Sequence, residues 1–152
     1  MIPIKVDQLF NSNMGFVVHL KGLDDARVLQ IFIGVAEAHA IAIHLEGVQI
    51  PRPLTHDLLK NLLLYFQCPL KRGEVCDLRE GTFFAKLILE RDGAEVEMDC
   101  RPSDAIALAL RFAAPIFVAD HVMNEAGRVL PADQPNAAGP AASSRRWSPT
   151  TW

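Results

Sequence analysis

Disulfide pairing, membrane spans and the common phosphate-cradling loops are all missing from this chain. Its three cysteines, Cys68, Cys76 and Cys100, form no C-x-x-C pair and sit in apolar or strand-like surroundings, the setting of buried free thiols in a reducing compartment. No apolar run approaches the roughly 20 residues a bilayer span requires. The opening Met1-Ile2-Pro3-Ile4-Lys5-Val6-Asp7 alternates like a strand and lacks the apolar centre of a signal peptide. The expectation is a soluble cytoplasmic protein with no membrane partner. An excess of positive charge is missing too. With 15 Lys plus Arg against 18 Asp plus Glu, the net charge is −3, which excludes a protein that coats nucleic acid by charge alone. Phosphodiester chemistry here would need a local basic site. There is no G-x-x-x-x-G-K, no G-x-S-x-G and no interleaved aromatic-basic platform for RNA. His39 and His121 have no companions at zinc-ligand spacing such as H-E-x-x-H.

What is present is enough apolar residue for one core. Half of the 152 residues are apolar, and a chain of this size defaults to one domain. Strands are predicted at Ile2–Val6, Phe16–Leu20 and Val28–Ile33, followed by a mostly buried helix from Val35 to Glu46 that Gly47 ends. Pro51-Arg52-Pro53 then leads to Thr55, a candidate N-cap for a Leu-rich helix through Phe66. Glu80-Gly81 and Asp92-Gly93 are two-residue hairpin turns joining strands near Val75–Arg79, Phe83–Glu90 and Glu95–Cys100. With Arg91 opposite Ala94, Leu89 faces Val96, Leu87 faces Met98 and Ala85 faces Cys100, so one sheet face reads as apolar throughout. The other face carries Asp77, Phe84, Lys86, Glu97 and Asp99, with Lys86 directly across from Asp99 as an expected cross-strand pair. A helix from Pro102 to Phe112 and a strand from Ile116 to Val118 complete the domain.

The fold class is therefore α+β: two antiparallel β-meanders, each followed by a helix, in a single compact domain at residues 1–130. Shifting the chain by about 65 positions lays Ile31 on Val96 and Ala40-Ile41-Ala42-Ile43 on Ala105-Ile106-Ala107-Leu108, a pattern of internal duplication. Residues 131–152 turn to Pro, Ala and Ser with few apolar anchors, and are expected to be a flexible, disordered tail that cannot offset its ordering entropy by burial.

Phosphodiester hydrolysis needs a positioned water, a group to take its proton, and positive charge where the phosphorane develops negative charge. Arg52, Lys86 and Arg101 are candidate electrophilic groups, and Glu37, His56, Asp57, Asp99 and Asp104 are candidate bases or metal ligands. Asp77 and Asp99 flank a middle strand, about 10 Å apart at ~4.8 Å per strand, too far to hold one metal ion by themselves. The densest constellation is Asp99-Cys100-Arg101-Pro102-Ser103-Asp104, where Pro102 suits a first helical turn and Ser103 and Asp104 can satisfy or charge-complement its exposed amides. In the bland reading this is a capped helix with a surface Arg, and His56-Asp57 merely opens a helix.

Taken together, Glu37-Ala38 with Ala40-Ile41, Pro51-Arg52-Pro53-Leu54-Thr55-His56-Asp57-Leu58, Gly81-Thr82-Phe83, and Asp99 with Arg101-Pro102-Ser103-Asp104-Ala105-Ile106-Ala107-Leu108-Ala109-Leu110-Arg111 closely resemble the bifunctional nuclease domain family, over about Ile2 to Pro131. The resemblance implies a compact α+β domain, usually a homodimer, that cleaves both DNA and RNA. The motif positions it carries over are Glu37, Arg52, His56, Asp57, Asp99, Arg101, Ser103 and Asp104. This chain has Glu80 and Phe84 where the family favours Asp and Tyr, so no hydroxyl at position 84 handles protons. On this reading Arg101 and Arg52, with Lys86 and Ser103, bind the scissile phosphate while His56 or a carboxylate activates water, directly or through Mg²⁺ or Mn²⁺. The rival reading is a non-catalytic regulatory module that binds an anionic ligand or a partner protein through the same cluster. In a third, Arg101, Asp99 and Asp104 form a buried ion network at a dimer interface.

Overall fold

The computed structural model describes residues 1–131, so the Pro/Ala/Ser-rich segment falls almost wholly outside the described residues. Along the chain run β1 (Ile2–Ser12), β2 (Gly15–Gly22), β3 (Arg27–Ile33), α1 (Val35–Leu45), α2 (Thr55–Tyr65), β4 (Leu70–Arg79), β5 (Thr82–Arg91), β6 (Ala94–Cys100), α3 (Pro102–Phe112), β7 (Ile116–Val118), α4 (Asp120–Ala126) and β8 (Arg128–Val129). The described strands join into one eight-stranded sheet in the order β6-β5-β4-β7-β1-β2-β3-β8. Both meanders run outward from the short central β7, with β1 and β4 innermost and β3 and β6 following at the same place. The two halves thus share one strand order, as the repeat in the sequence led us to expect. No helix among the described residues is long and apolar enough to cross a membrane.

The two hairpin turns of the second half form as expected. Glu80, Gly81, Asp92 and Gly93 all take positive φ, the geometry a two-residue turn needs to match strand twist. That fixes the register Ala85↔Cys100, Leu87↔Met98 and Leu89↔Val96. Burial, however, stops one strand short of the edge. Leu87 and Leu89 are buried, while Val96 and Met98 on β6 are 40% and 48% exposed because no described element covers the sheet there. Several boundaries also differ. β1 extends to Ser12, since its turn is tight and a register shift between Val6 and Gln8 bends the strand. β4 begins at Leu70 because the polar Arg72 and Glu74 lie on the face away from the helices. Lys86 does stand across from Asp99, yet its ammonium pairs diagonally with Glu97 at 2.9 Å, within easy reach of a long side chain. The three cysteines are unpaired but only partly buried, not fully enclosed.

Helix α3 is the centre of the packing. Pro102, Ser103, Ala105 to Ala109 and Arg111 are all buried, against β4, β5, α1 and α2. A side chain at position 73 would bring its Cβ to 3.3 Å from the Ala105 carbonyl, so Gly73 lets α3 approach β4 closely. Helix α2 is the opposite case. None of its residues is fully buried, and Leu58, Leu59, Leu62, Leu64 and Tyr65 are turned to solvent, as is Phe66 beyond its end.

Candidate active site

Three helix starts and one strand end build the site. Gly34 is the N-cap of α1 and Glu37 stands at its third position, with its carboxylate folded back beside Gly34 and accepting its own backbone N–H. Arg101 is the extended N-cap of α3, Pro102 opens the helix, and Asp104 occupies the third helical position. The Arg101 guanidinium spans both acids: Nη1 donates to Glu37 at 2.6 Å, and Nε and Nη2 donate to Asp104 at 2.9 and 3.0 Å. His56, in the first turn of α2, reaches the same Asp104 carboxylate through Nε2 at 3.0 Å. His56, Asp104, Arg101 and Glu37 therefore form one continuous hydrogen-bonded chain drawn from α2, α3 and α1.

No side-chain hydrogen bond caps α3, but Asp104 in its first turn complements the positive end of the helix, the second of the two roles expected from the sequence. Asp104 meets two cationic or protonated partners, which bind a carboxylate about twice as strongly as a neutral amide does. Ser103 is buried at 5% exposure, so it does not present its hydroxyl to a substrate. Likewise the N-cap of α2 is Leu54 rather than Thr55, and its N–H donates to Asp57 at 2.8 Å. Asp99 and Lys86 lie on the sheet face opposite the helices, and no hydrogen bond or ion pair among the described residues joins them to the cluster. Within one chain Arg101 is 62% exposed, and it pairs with Glu37 and Asp104 rather than with Asp99. Arg52 is exposed in the turn before α2, with no ion pair to another described residue.

Charge and burial set the proton states. Partial burial works to raise Asp104, but bonds from Arg101 and His56 outweigh it and hold the carboxyl below its ordinary range. Glu37 is lowered by its own backbone N–H and then by Arg101. Since Asp104 is ionised near neutrality and accepts only, His56 must donate from Nε2, which leaves the lone pair of a neutral ring on Nδ1. Burial, followed by the charges of Asp104 and Asp99, pushes the neighbouring Cys100 thiol up to about 12, so it is no nucleophile. Among the described residues no three His, Cys, Asp or Glu side chains gather as a metal-binding group. The guanidinium of Arg101 bridges Glu37 and Asp104, the two acids of the cluster.

Arg111 is the residue that sequence reasoning passed over. Its side chain is 3% exposed, and Nε donates to Asp57 at 2.8 Å while Nη1 donates to the Ala107 carbonyl at 3.0 Å. Lys60 of α2 donates to the Arg111 carbonyl at 2.8 Å. The signal was an arginine continuing the buried side of an otherwise apolar helix, a position that demands a counter-charge.

Gly34 bears on the site as well. Its backbone (φ −77°, ψ 172°) suits any residue, but a Cβ there would occupy the place of the Glu37 carboxylate. Gly34→Ala is expected to leave stability within about 1 kcal/mol of wild type, since only a flexible side-chain end must yield. Glu37 would lose its hold on Arg101. A double-mutant cycle checks this: Glu37→Gln should change melting temperature and activity in the wild-type background and neither in the Gly34→Ala background.

The chain matches the bifunctional nuclease domain over residues 18–131. It is 41% identical over 131 residues to a protein of Mycobacterium tuberculosis described as uncharacterized, covering 86% of this chain and 76% of that one. It is 28% identical over 101 residues to bifunctional nuclease 1 of Oryza sativa subsp. indica, covering 63% of this chain and 30% of the rice protein, and equally similar to the bifunctional nuclease of Oryza minuta. The fold is that of an α+β domain whose polar cluster joins motif residues from the starts of α1, α2 and α3. This chain belongs to the bifunctional nuclease domain family.

Proposed function

We propose that the protein is a nuclease that hydrolyses phosphodiester bonds in DNA and RNA at the Glu37–Arg101–Asp104–His56 cluster. The observation that carries this reading is the His56–Asp104 contact at 3.0 Å, which brings the Arg52-bearing loop to the mouth of α3 across 48 positions of sequence. Asp104 fixes the tautomer and orientation of His56, so Nδ1 can take a proton from an attacking water. Arg101, exposed and planar, is placed to exchange one carboxylate for two phosphate oxygens, and Arg52 supplies a second cation on the same approach. The regulatory reading draws support from the same geometry, because all three guanidinium nitrogens of Arg101 are already engaged by acids.

Cleavage of end-labelled single-stranded DNA and RNA, with EDTA or with Mg²⁺ or Mn²⁺, decides between them. Cleavage in any of these buffers supports the nuclease, and its response to chelation decides whether a divalent ion is required. Measurable binding of a small phosphate compound with turnover at background in every buffer supports the regulatory module instead. The three free thiols fit a reducing, cytoplasmic setting for this activity.

The partner beside nucleic acid is, in this proposal, a second copy of the chain. Leu58, Leu62 and Tyr65 recur along α2 at helical spacing, exposed and without an interposed charge, and a single helical stripe can pack on its own two-fold mate. Edge-to-edge pairing of β6 is disfavoured, since Glu95, Glu97 and Asp99 would face their counterparts. Leu62→Asp is expected to convert a dimer to monomer in sedimentation equilibrium with the fold unchanged by circular dichroism. A wild-type monomer at high micromolar concentration removes this partner.

A further inference from the structure

Asp57 belongs to the motif that suggested a catalytic base, but its surroundings suit a different task. Both carboxylate oxygens are occupied by N–H donors: Oδ2 by Leu54 at the start of α2, Oδ1 by Nε of Arg111. Arg111 is itself immobilised, buried and tied to the Ala107 carbonyl one turn back in α3. The residue before Asp57 is His56, which grips Asp104. Asp104 and Arg111 are two turns of α3 apart, about 10 Å at 1.5 Å per residue. Two consecutive residues of α2 thus hold α3 at two well-separated points, and Lys60 adds a third tie at the Arg111 carbonyl. A two-point grip fixes the rotation of a helix as well as its distance. Apolar burial does not do this for α2, which has no fully buried residue and turns most of its leucines outward.

We infer that Asp57 is a positioning residue: its ion pair with the buried Arg111 sets the rotation of α2 that carries His56 onto Asp104 and the Arg52 turn towards Arg101. It is not the base. Partial burial works to raise its pKa, but the Leu54 amide and Arg111 bonds hold it below the ordinary range, and each of its two oxygens already accepts a proton donor of the fold. The inference rests on the nuclease reading only where catalysis is the readout.

The test compares wild type with Asp57→Asn, which keeps the acceptor for Leu54 but weakens the hold on Arg111, and Arg111→Lys, which keeps the charge but loses the forked geometry. His56 is 11% exposed in the intact chain. Its rate of carbethoxylation by diethyl pyrocarbonate, read by peptide mass spectrometry, is expected to rise at least fivefold in both variants, with exposed His121 and buried His19 unchanged as internal controls. On single-stranded DNA, kcat is expected to fall about tenfold in both while the pH profile keeps its shape. Unchanged His56 protection in Arg111→Lys and Asp57→Asn overturns the inference. So does a kcat at background in Asp57→Asn, with loss of the acid limb and protection intact, since that outcome makes Asp57 the base. If Asp57→Asn fails to fold, Arg111→Lys alone decides through the same two readouts. Wild type without turnover would defeat the nuclease reading and leave the His56 measurement to judge the clamp.

Discussion

Replacing Asp57 with alanine is expected to destabilise the protein by about 3 kcal/mol and lower its melting temperature by roughly 10 °C, more than any other single substitution in the helical layer that removes only a few atoms. The reason is asymmetry in what is left behind. Arg111 is 3% exposed, so removing Asp57 takes the counter-charge from a guanidinium in the interior, which keeps its bond to the Ala107 carbonyl. The reverse truncation is milder. Without Arg111, Asp57 retains the Leu54 N–H and enough exposure to be hydrated, so Arg111→Met is expected to cost about 1–2 kcal/mol. The double variant should then be more stable than Asp57→Ala alone, because the stranded charge is gone. Urea denaturation of the four proteins measures this. Additive effects, or a double variant no better than Asp57→Ala, would mean that Arg111 finds water once Asp57 is removed and that the pair is not a buried one. The pH dependence follows in sign. Asp57, Asp104 and Glu37 all have folded pKa values depressed below the ordinary carboxylate range. Each therefore adds stability that is fully present above about pH 5 and is lost as pH falls below about 4 through the folded values. The wild-type melting temperature should decline on that limb, and Asp57→Ala should decline less steeply.

Local chemistry carried most of the fold in the sequence. Asp92-Gly93 and Glu80-Gly81 could be read because a two-residue turn of positive φ admits few other residues, and Asp92-Gly93 then dictates the register of the whole β5–β6 hairpin, whereas two register shifts in β4 interrupt the pairing set by Glu80-Gly81. The boundaries of β1 and β4 were less legible, since pairing continues past the apolar residues wherever a neighbouring strand offers hydrogen bonds, and Asp7 to Ser12 or Lys71 to Glu74 show no alternation to announce it. Helix α4 and β8 are short and depend on docking rather than on their own pattern. Exposure of Val96 and Met98 was not readable either: alternation tells which face a side chain takes, not whether anything covers that face.

The site divides along the same line. Arg101 to Asp104 was legible because a guanidinium and an acid three residues apart at a helix start will meet across one turn. His56 to Asp104 was expected only as convergence of the Arg52-to-Asp57 segment with the start of α3, and Arg101 to Glu37 was not anticipated, since contacts across 48 and 64 residues depend on how three helices pack. Asp99 and Lys86 were included for their charge and their place near the motif. The strict alternation of β6 and β5 sends them to the far side of the sheet, as the register Lys86↔Asp99 already required.

Arg101→Ala is expected to reduce cleavage of single-stranded DNA and RNA by two to three orders of magnitude, the loss of about 3–4 kcal/mol that accompanies removal of a principal electrostatic group from a developing phosphorane. Its effect on stability should be small. Arg101 is 62% exposed, and solvent-screened pairs of this kind contribute at most about 1 kcal/mol, so the variant can be assayed fully folded. Arg101→Lys should recover little activity, because an ammonium cannot span two phosphate oxygens as the guanidinium now spans Glu37 and Asp104. Glu37→Gln separates the two uses of Arg101. If the arginine must leave an acid to take the phosphate, removing the charge of Glu37 eases that exchange and KM should fall while kcat changes by less than about threefold. If Glu37 instead holds Arg101 in its catalytic position, kcat drops with Arg101→Ala in kind though not in degree. Full activity in Arg101→Ala, measured on folded protein, would leave His56 and Asp104 without an electrophilic partner and would take the hydrolytic assignment away from this cluster.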